Sequence, residues 1–268
     1  MNFVKMHGAG NDYIFVDCFE KKIEDMERLS IQMSDRHFGV GGDGVVYLYP
    51  SDVSDVKMRM FNADGSEGAM CGNALRCIAK LMCDKLCKND ISVETNSGIK
   101  SVSYLGNGLF TVDMGAPIFG NVNQPISVSG VQLSYSYVSM GNPHCVIFSD
   151  DVDCMDMSIG REIEKHFPGG INVEFVQCVE NGLKVRVHER GSGETLSCGT
   201  GACAAVAVSA LTGKCSKNSD INVFLRGGCL RINYNKTIFL TGNAVKVYEG
   251  DYNDKVYFCD RWSCKRTR

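Results

Sequence analysis

The chain has 268 residues, of which 44% are hydrophobic and 22% charged, with a formal net charge of −3. The charge provides no basic surface for nucleic acid, and no apolar run approaches the ~18 residues of a membrane span. The first residues show no signal-peptide pattern. We therefore expect a cytoplasmic protein of one or two domains that binds neither nucleic acid nor a membrane.

The chain is rich in cysteine, with 14 residues. In a short secreted protein this number would indicate a disulfide framework. Here the chain is long, and Cys77, Cys145 and Cys203 lie within apolar helix or strand patterns. We expect these three to be buried and reduced. Because there is no C-x-x-C pair and the five histidines are scattered singly, no metal site is predicted. No cofactor site is indicated either.

The first half of the chain alternates strand patterns with two helices. A Gly- and Asn-rich turn at residues 7–12 joins the first two strands into a hairpin. Strands are predicted at residues 3–6, 13–17, 44–49, 56–62, 91–94, 99–104 and 109–113, and helices at 25–34 and 72–84.

The segment Gly39–Gly44 fits the G-x-G-x-x-G pattern of dinucleotide-binding proteins. That site needs a strand before the glycines and a helix after them. Here the glycines lead into Val45-Val46-Tyr47, which reads as a strand. We interpret the segment as a structural turn.

The second half repeats this plan. The helix predicted at 199–211 is apolar nearly all round, so it should be buried on every side, as a helix wrapped by a sheet would be. A further helix is predicted at residues 158–166, and strands at 126–133, 135–140, 145–148, 172–179, 183–189, 221–225, 230–234, 238–240 and 244–248.

Two cysteines occupy nearly duplicate settings, 127 positions apart. Cys71-Gly72-Asn73 and Cys198-Gly199-Thr200 each follow a polar, Gly-rich turn and open an apolar helix. The repeat predicts a duplicated domain. We expect its boundary near Gly115-Ala-Pro, giving domains at residues 1–115 and 116–252, and we expect the tail at 253–268 to pack on the first domain.

The position of the two cysteines suggests chemistry. A thiolate at a helix N-terminus is stabilised by free N–H groups and the helix dipole, which lower its pKa. One such cysteine could equally be a packing residue at a helix start. Two with parallel flanks favour a site in which one thiol acts as an acid and the other as a base.

Two further segments carry candidate side chains. Gly141-Asn142-Pro143-His144 is a polar turn after an apolar strand, although a lone histidine can also be structural. Glu189-Arg190 ends a strand just before the second cysteine turn. This pair is either a surface ion pair or a binding site for a zwitterion, with arginine on a carboxylate.

With these motifs the chain resembles the diaminopimelate epimerases, a family of the cofactor-independent amino-acid racemase superfamily that also contains proline racemase. The resemblance covers almost the whole chain. It is carried by the segments Met6–Asp12, Asn62–Glu67, Met70–Asn73, Met140–His144, Ile171–Val176 and Glu189–Ala202.

The resemblance implies an α/β (α+β) fold of two pseudo-symmetric domains. Each is a mostly antiparallel sheet rolled around a central helix, and the active site lies in the cleft between them. It implies epimerisation of LL-2,6-diaminopimelate to meso-diaminopimelate in lysine and peptidoglycan precursor biosynthesis, without a cofactor. A homodimer is a possible assembly.

The family's functional residues carry over position by position. Cys71 and Cys198 are expected to transfer the protons, with His144 and Glu189 near the reacting end. The implied substrate-binding residues are Asn11, Asn62, Gly72, Asn73, Asn142, Asn172, Glu189, Arg190, Gly199 and Thr200.

Three other functions remain open. A proline or hydroxyproline epimerase would share the scaffold, although such enzymes typically have His where this chain has Asn73. A non-catalytic relative is disfavoured because both cysteines are present. A thiol switch is disfavoured because there is no C-x-x-C pair.

Overall fold

The computed structural model describes residues 1–253. The tail predicted to pack on the first domain lies, except for its first residue, outside the described residues. The helices are α1 (Met26–Ser34), α2 (Gly72–Leu86), α3 (Ser158–Lys165) and α4 (Gly199–Leu211). The strands of the first half are β1 (Asn2–Gly8), β2 (Asn11–Asp17), β3 (Gly44–Tyr49), β4 (Val56–Asn62), β5 (Glu67–Gly68), β6 (Asp90–Thr95), β7 (Gly98–Gly106) and β8 (Leu109–Asp113). Those of the second half are β9 (Ile118–Phe119), β10 (Gln124–Val128), β11 (Val131–Ser139), β12 (Pro143–Phe148), β13 (Asn172–Val179), β14 (Gly182–Glu189), β15 (Gly193–Thr195), β16 (Asp220–Leu225), β17 (Gly228–Tyr234), β18 (Ile238–Asn243) and β19 (Val245–Asp251).

The strand pairings repeat between the halves. In the first half β2 pairs parallel with β3, β3 antiparallel with β4, and β4 parallel with β6, after which β6, β7 and β8 pair antiparallel. The second half repeats this sequence of pairings. There β12 pairs parallel with β13, β13 antiparallel with β14, and β14 parallel with β16, after which β16, β17 and β18 pair antiparallel. The duplication predicted from the two cysteine motifs is therefore visible in the topology, and most neighbouring strands run antiparallel.

Each half has a central helix in the core. The residues of α4 from Gly201 to Ser209 are buried, as its uniform apolar pattern predicts. Removing a valine side chain such as Val206 or Val208 from water contributes about 1.5–3 kcal/mol. The helix α2 is buried on all sides from Gly72 to Ala79, and beyond Ala79 only Met82 is buried. Both helices belong to one continuous hydrophobic core.

The two halves are joined by strands as well as by the core. Strand β8 pairs antiparallel with β18, and β1 pairs antiparallel with β19. The last strand within residues 1–253 therefore hydrogen-bonds to the first. These pairings hold the first turns of α2 and α4 close together, and this region contains the site described below.

Most predicted elements are present with small shifts in their ends. The strand predicted at 126–133 is wrong, because the chain reverses there and forms the hairpin of β10 and β11. The reversal uses Ser129 and Gly130, which both have positive φ, as a two-residue hairpin turn requires. The glycine segment 39–44 leads into β3, as the interpretation as a turn predicted.

The predicted buried cysteines are confirmed. Cys77, Cys145 and Cys203 are at most 1% exposed, and every cysteine in the part of the chain that the structure describes is unpaired. None of the helices within residues 1–253 is long and apolar enough to cross a membrane.

Candidate active site

Cys71 and Cys198 are the N-cap residues of α2 and α4, as the sequence predicted. Both have extended backbones, with φ of −139° and −118°. The first bonds within the helices run from Leu75 N to Cys71 O and from Ala202 N to Cys198 O. The N–H groups before Leu75 and Ala202 therefore have no carbonyl partner within their helices. That of Gly201 donates to Cys198 Sγ at 3.3 Å, and those of Gly72, Asn73, Gly199 and Thr200 are available to an anion.

The two helix starts face each other. A side chain built on Gly199 would place its Cβ 3.6 Å from Asn73 Oδ1, which belongs to the other half of the molecule. Gly72, Asn73 and Gly199 are buried, and Thr200 is half-buried. The structure thus brings the two Cys-Gly motifs, which are distant in sequence, to one place.

Cys71 ends a chain of hydrogen bonds that we call the Cys71 chain: Arg76, Asn73, Asn11 and Cys71. Arg76 Nη2 donates to Asn73 Oδ1 at 2.8 Å, and Asn73 Nδ2 donates to Asn11 Oδ1 at 3.1 Å. The Cys71 thiol donates to the same Asn11 oxygen at 3.4 Å. On its other side Asn11 Nδ2 donates to Asp43 Oδ2 at 2.7 Å.

Cys198 ends a second chain, the Cys198 chain: Glu174, His144, Asn142, Thr200 and Cys198. His144 Nδ1 lies 2.7 Å from Glu174 Oε1, and His144 Nε2 lies 3.1 Å from Asn142 Oδ1. Asn142 Nδ2 donates to Thr200 Oγ1 at 3.3 Å, and this hydroxyl lies 3.4 Å from Cys198 Sγ. His144 and Glu174 are completely buried.

The expectation that both thiols have lowered pKa values is wrong. Burial raises the pKa of Cys71, although the N–H groups of Ala74 and Asn73 and the Tyr13 hydroxyl act in the opposite direction. Burial also raises the pKa of Cys198 well above its usual value, and the negative charges of Glu189 and Glu174 add to this. The helix N-termini stabilise the thiolates as expected, but the loss of water outweighs them.

Glu189 lies near both cysteines. It accepts a hydrogen bond from the Thr195 hydroxyl at 2.6 Å. Burial raises the pKa of the Glu189 carboxyl, the Thr195 hydrogen bond lowers it, and the charge of Glu174 raises it further. The negative charge of Glu189 raises the pKa of both thiols. Glu189 can therefore influence proton transfer by either cysteine.

Asn172 and Arg190 form a separate group at one edge of the site. Asn172 Nδ2 donates to Pro143 O at 2.9 Å, and Arg190 N donates to Asn172 Oδ1 at 3.1 Å. The Arg190 side chain is exposed, and its Nη1 donates to Gly169 O at 3.2 Å. Asn172 therefore fixes the turn that carries Arg190.

Asn62 is set apart from these groups. Its side chain donates to Ser66 Oγ at 3.0 Å within its own turn. No hydrogen bond among residues 1–253 that the structure gives for the Asn62 side chain joins it to either cysteine chain. Its strand neighbour Gly44 lies beside Tyr13, whose hydroxyl interacts with the Cys71 thiol.

Sequence reasoning missed four polar residues at this site: Tyr13, Asp43, Arg76 and Glu174. Glu174 carried a readable signal, since a carboxylate inside the apolar run Val173–Val176 must find a buried partner. Arg76 lies between the apolar residues Leu75 and Cys77 on a helix. No cluster of three His, Cys, Asp or Glu side chains that could hold a metal occurs among the described residues.

The fold is shared with a class of proteins of known structure. A probable proline racemase from Agrobacterium radiobacter superposes with a TM-score of 0.76 at 11% identity, covering 96% of this chain and 94% of that one. A phenazine biosynthesis protein of the PhzF family from Bacillus anthracis gives 0.72 at 18% identity, covering 93% and 98%. At these identities the likeness concerns the fold alone, and it confirms the predicted α+β architecture of two pseudo-symmetric halves.

Sequence comparison identifies the family within that class. The family model described as diaminopimelate epimerase matches residues 3–120 and 136–253. A diaminopimelate epimerase from Acetivibrio thermocellus is 45% identical, covering 94% of this chain and 98% of its own. One from Methanococcus maripaludis is also 45% identical, covering 94% and 99%. This chain belongs to the diaminopimelate epimerase family, which confirms the resemblance found in the sequence.

Proposed function

We propose that the protein interconverts LL- and meso-2,6-diaminopimelate by proton transfer at one α-carbon, in lysine and peptidoglycan precursor biosynthesis. The observation that carries this proposal is the pair of cysteines at the facing N-termini of α2 and α4. Inversion of a tetrahedral carbon requires one group on each face, and two halves of a duplicated fold supply one group each. Membership of the family supports the choice of substrate.

In the proposed reaction one cysteine acts as a thiolate and removes the α-proton. The thiol of the other cysteine gives its proton to the opposite face of the carbanion. Each turnover thus exchanges the protonation states of Cys71 and Cys198, and the reverse reaction uses them in the opposite order. No redox change and no leaving group are involved.

The carbanion needs strong stabilisation, because an α-proton is far less acidic than a thiol. We place the substrate α-carboxylate against the N–H groups of Gly72, Asn73, Gly199 and Thr200, at the positive ends of both helices. Negative charge moves onto this carboxylate as the proton leaves. One preorganised donor can contribute about 3 kcal/mol in such a site.

We assign the distal end of the substrate to Asn62, Asn172 and Arg190. Asn11, which accepts from the Cys71 thiol, contributes to positioning. Arg190 has the strongest support, since its exposed guanidinium is free to pair with a carboxylate. Asn172 would act by holding the Arg190 turn. His144 and Asn142 would act on Cys198 through Thr200, and Glu189 would influence both sulfurs.

The proposed site lies between two domains, at residues 1–115 and 116–252. The chemistry requires that bulk water leave the site when substrate binds, and a cleft between two domains offers a way to close. The cytoplasmic location and a homodimeric assembly remain predictions from the sequence.

The proposal is tested by proton NMR of LL-diaminopimelate in deuterium oxide, with purified, reduced protein and no added cofactor. We expect the α-proton signal to disappear as the meso isomer forms. An unchanged spectrum, with exchange of the α-proton of proline instead, would show that the scaffold acts on a cyclic imino acid. No exchange with either compound would favour a non-catalytic relative.

A further inference from the structure

Arg76 has an unusual environment for an arginine. It is 0% exposed, lies in the first half of α2 and reaches the strands β1 and β18. Its Nη1 donates to Gly72 O at 3.2 Å and its Nε to Asn243 O at 3.1 Å, so its remaining partners are neutral oxygens. No carboxylate of residues 1–253 forms an ion pair with it in the structure. A buried cation without a counter-ion is costly, and such a residue needs an explanation.

The backbone is shaped to hold the guanidinium. A Cβ added to Gly8 in β1 would lie 2.7 Å from Arg76 Nη2. A Cβ added to Gly242 in β18 would lie 3.1 Å from Arg76 Nε. Glycines from strands of both halves therefore leave the space that the group fills, so its position is built into the fold.

Arg76 also determines how two amide side chains are oriented. A guanidinium can only donate, so Asn73 must turn its oxygen toward Arg76 and its nitrogen toward Asn11. A carboxylate can only accept, so Asp43 holds the nitrogen of Asn11. Both constraints aim the oxygen of Asn11 at the thiol of Cys71.

We propose that Arg76 is a positioning residue for proton transfer by Cys71. It fixes the orientation of the Asn73 and Asn11 side chains, and through them the orientation of the Cys71 thiol. It also supplies a fixed positive charge near the start of α2. The charge favours the thiolate that forms when Cys71 gives up its proton. The inference about turnover rests on the proposed function, whereas the effect on the thiol does not need a substrate.

Several other ionisable groups face this region and have to be considered. Tyr13 from β2 and Glu189 from β14 lie near Cys71, and Asp43 reaches it through Asn11. Cys77 on α2 and Cys203 on α4 lie beside Arg76. All of them stay in place when only Arg76 is changed.

The test uses Arg76→Met, Arg76→Lys and the control Ile78→Val, which trims a fully buried side chain on the same helix. The alkylation rate of Cys71 by iodoacetamide is measured against pH in the substrate-free protein, with peptide mass spectrometry to assign the site. Arg76→Met removes a costly buried charge and keeps much of the volume, so it should fold.

We expect Arg76→Met to raise the midpoint of Cys71 alkylation by about one pH unit and to lower kcat by about tenfold, with KM changed less than about threefold. Arg76→Lys keeps the charge but not the donor geometry, so it should restore the midpoint and only part of kcat.

An unchanged midpoint in Arg76→Met, or an equal shift in Ile78→Val, would overturn the proposal. Failure of the wild-type protein to epimerise diaminopimelate would instead count against the proposed function. The alkylation profile would still decide the role of Arg76, because it is recorded without substrate.

Discussion

The Cys71 chain and the Cys198 chain end at cysteines with the same backbone position, but they begin at residues of opposite charge. Each begins at a completely buried ionisable side chain and ends at a thiol that caps a helix. Two asparagines lie in the Cys71 chain and one in the Cys198 chain. The Cys71 chain begins at the cation Arg76, and the Cys198 chain begins at the acidic residue Glu174, which is bonded to His144. The repeated topology thus accounts for where the two thiols lie but not for how they differ.

This difference suits a reaction that needs an acid and a base at the same time. A perfectly symmetric pair of thiols would have equal pKa values and no preferred arrangement of the single proton they share. Burial and the charge of Glu189 raise the pKa of both thiols, and the charge of Glu174 raises that of Cys198 further. In the free protein we therefore expect Cys71 to ionise more readily than Cys198.

Among variants of the two cysteine chains that keep both thiols, Glu174→Gln should have the largest effect on kcat and on the reactivity of Cys198. The change removes the negative charge and weakens the hold on His144, so we expect kcat to fall on the order of a hundredfold, the loss that corresponds to a hydrogen bond to a charged group. Because Glu174 raises the pKa of Cys198, the midpoint of Cys198 alkylation should move to lower pH.

The control for this variant is Glu162→Gln on α3, where the carboxylate pairs with Lys165 at the surface. The control should match the wild-type protein in kcat and in both alkylation profiles. A Cys198 profile that Glu174→Gln leaves in place would contradict the assignment of Glu174 to the Cys198 chain.

A smaller effect is expected from Thr200→Val, which removes the hydroxyl between Asn142 and Cys198 while keeping the shape of the side chain. The variant loses two hydrogen bonds of the chain, each worth about 1 kcal/mol, so kcat should fall by roughly ten- to thirtyfold. Thr212→Val at the far end of α4 is the matched control, since that hydroxyl bonds only to helix carbonyls. Equal losses in both variants would show that the effect comes from the helix and not from the chain.

The smallest effect is a difference in reactivity between the two thiols of the unmodified protein. At pH 8 the thiolate fraction of Cys71 should exceed that of Cys198, so iodoacetamide should label Cys71 first, by about tenfold in rate. Raising the pH should narrow this gap, since both thiols then approach full ionisation. Faster labelling of Cys198 than of Cys71 at pH 8 and above would contradict the proposed order of the two thiol pKa values.

The sequence predicted much of this architecture for identifiable reasons. The uniform apolar pattern of residues 199–211 could be satisfied only by burial on all sides, and α4 is buried in this way. The hairpin turn at Ser129-Gly130 was missed because the apolar pattern continues across it. A Ser-Gly pair is a turn signal, so this error was avoidable.

The site was predicted less completely because its charges depend on tertiary structure. The Cys-Gly motifs located both thiols, but an arginine on a helix normally indicates a surface position. Only the glycines of β1 and β18, from opposite ends of the chain, make room for Arg76. The raised pKa values of the thiols likewise follow from burial by both halves, which no local pattern reveals.

The central claim is that the two cysteines act on opposite faces of one carbon. It is tested most directly by measuring α-proton exchange in deuterium oxide with Cys71→Ala and Cys198→Ala, each on LL- and on meso-diaminopimelate. Both variants should lose epimerisation, by about a thousandfold or more. Each should keep slow exchange with one stereoisomer, and the two variants should keep opposite ones. Exchange of the same stereoisomer by both variants, or epimerisation by either at the wild-type rate, would contradict the account.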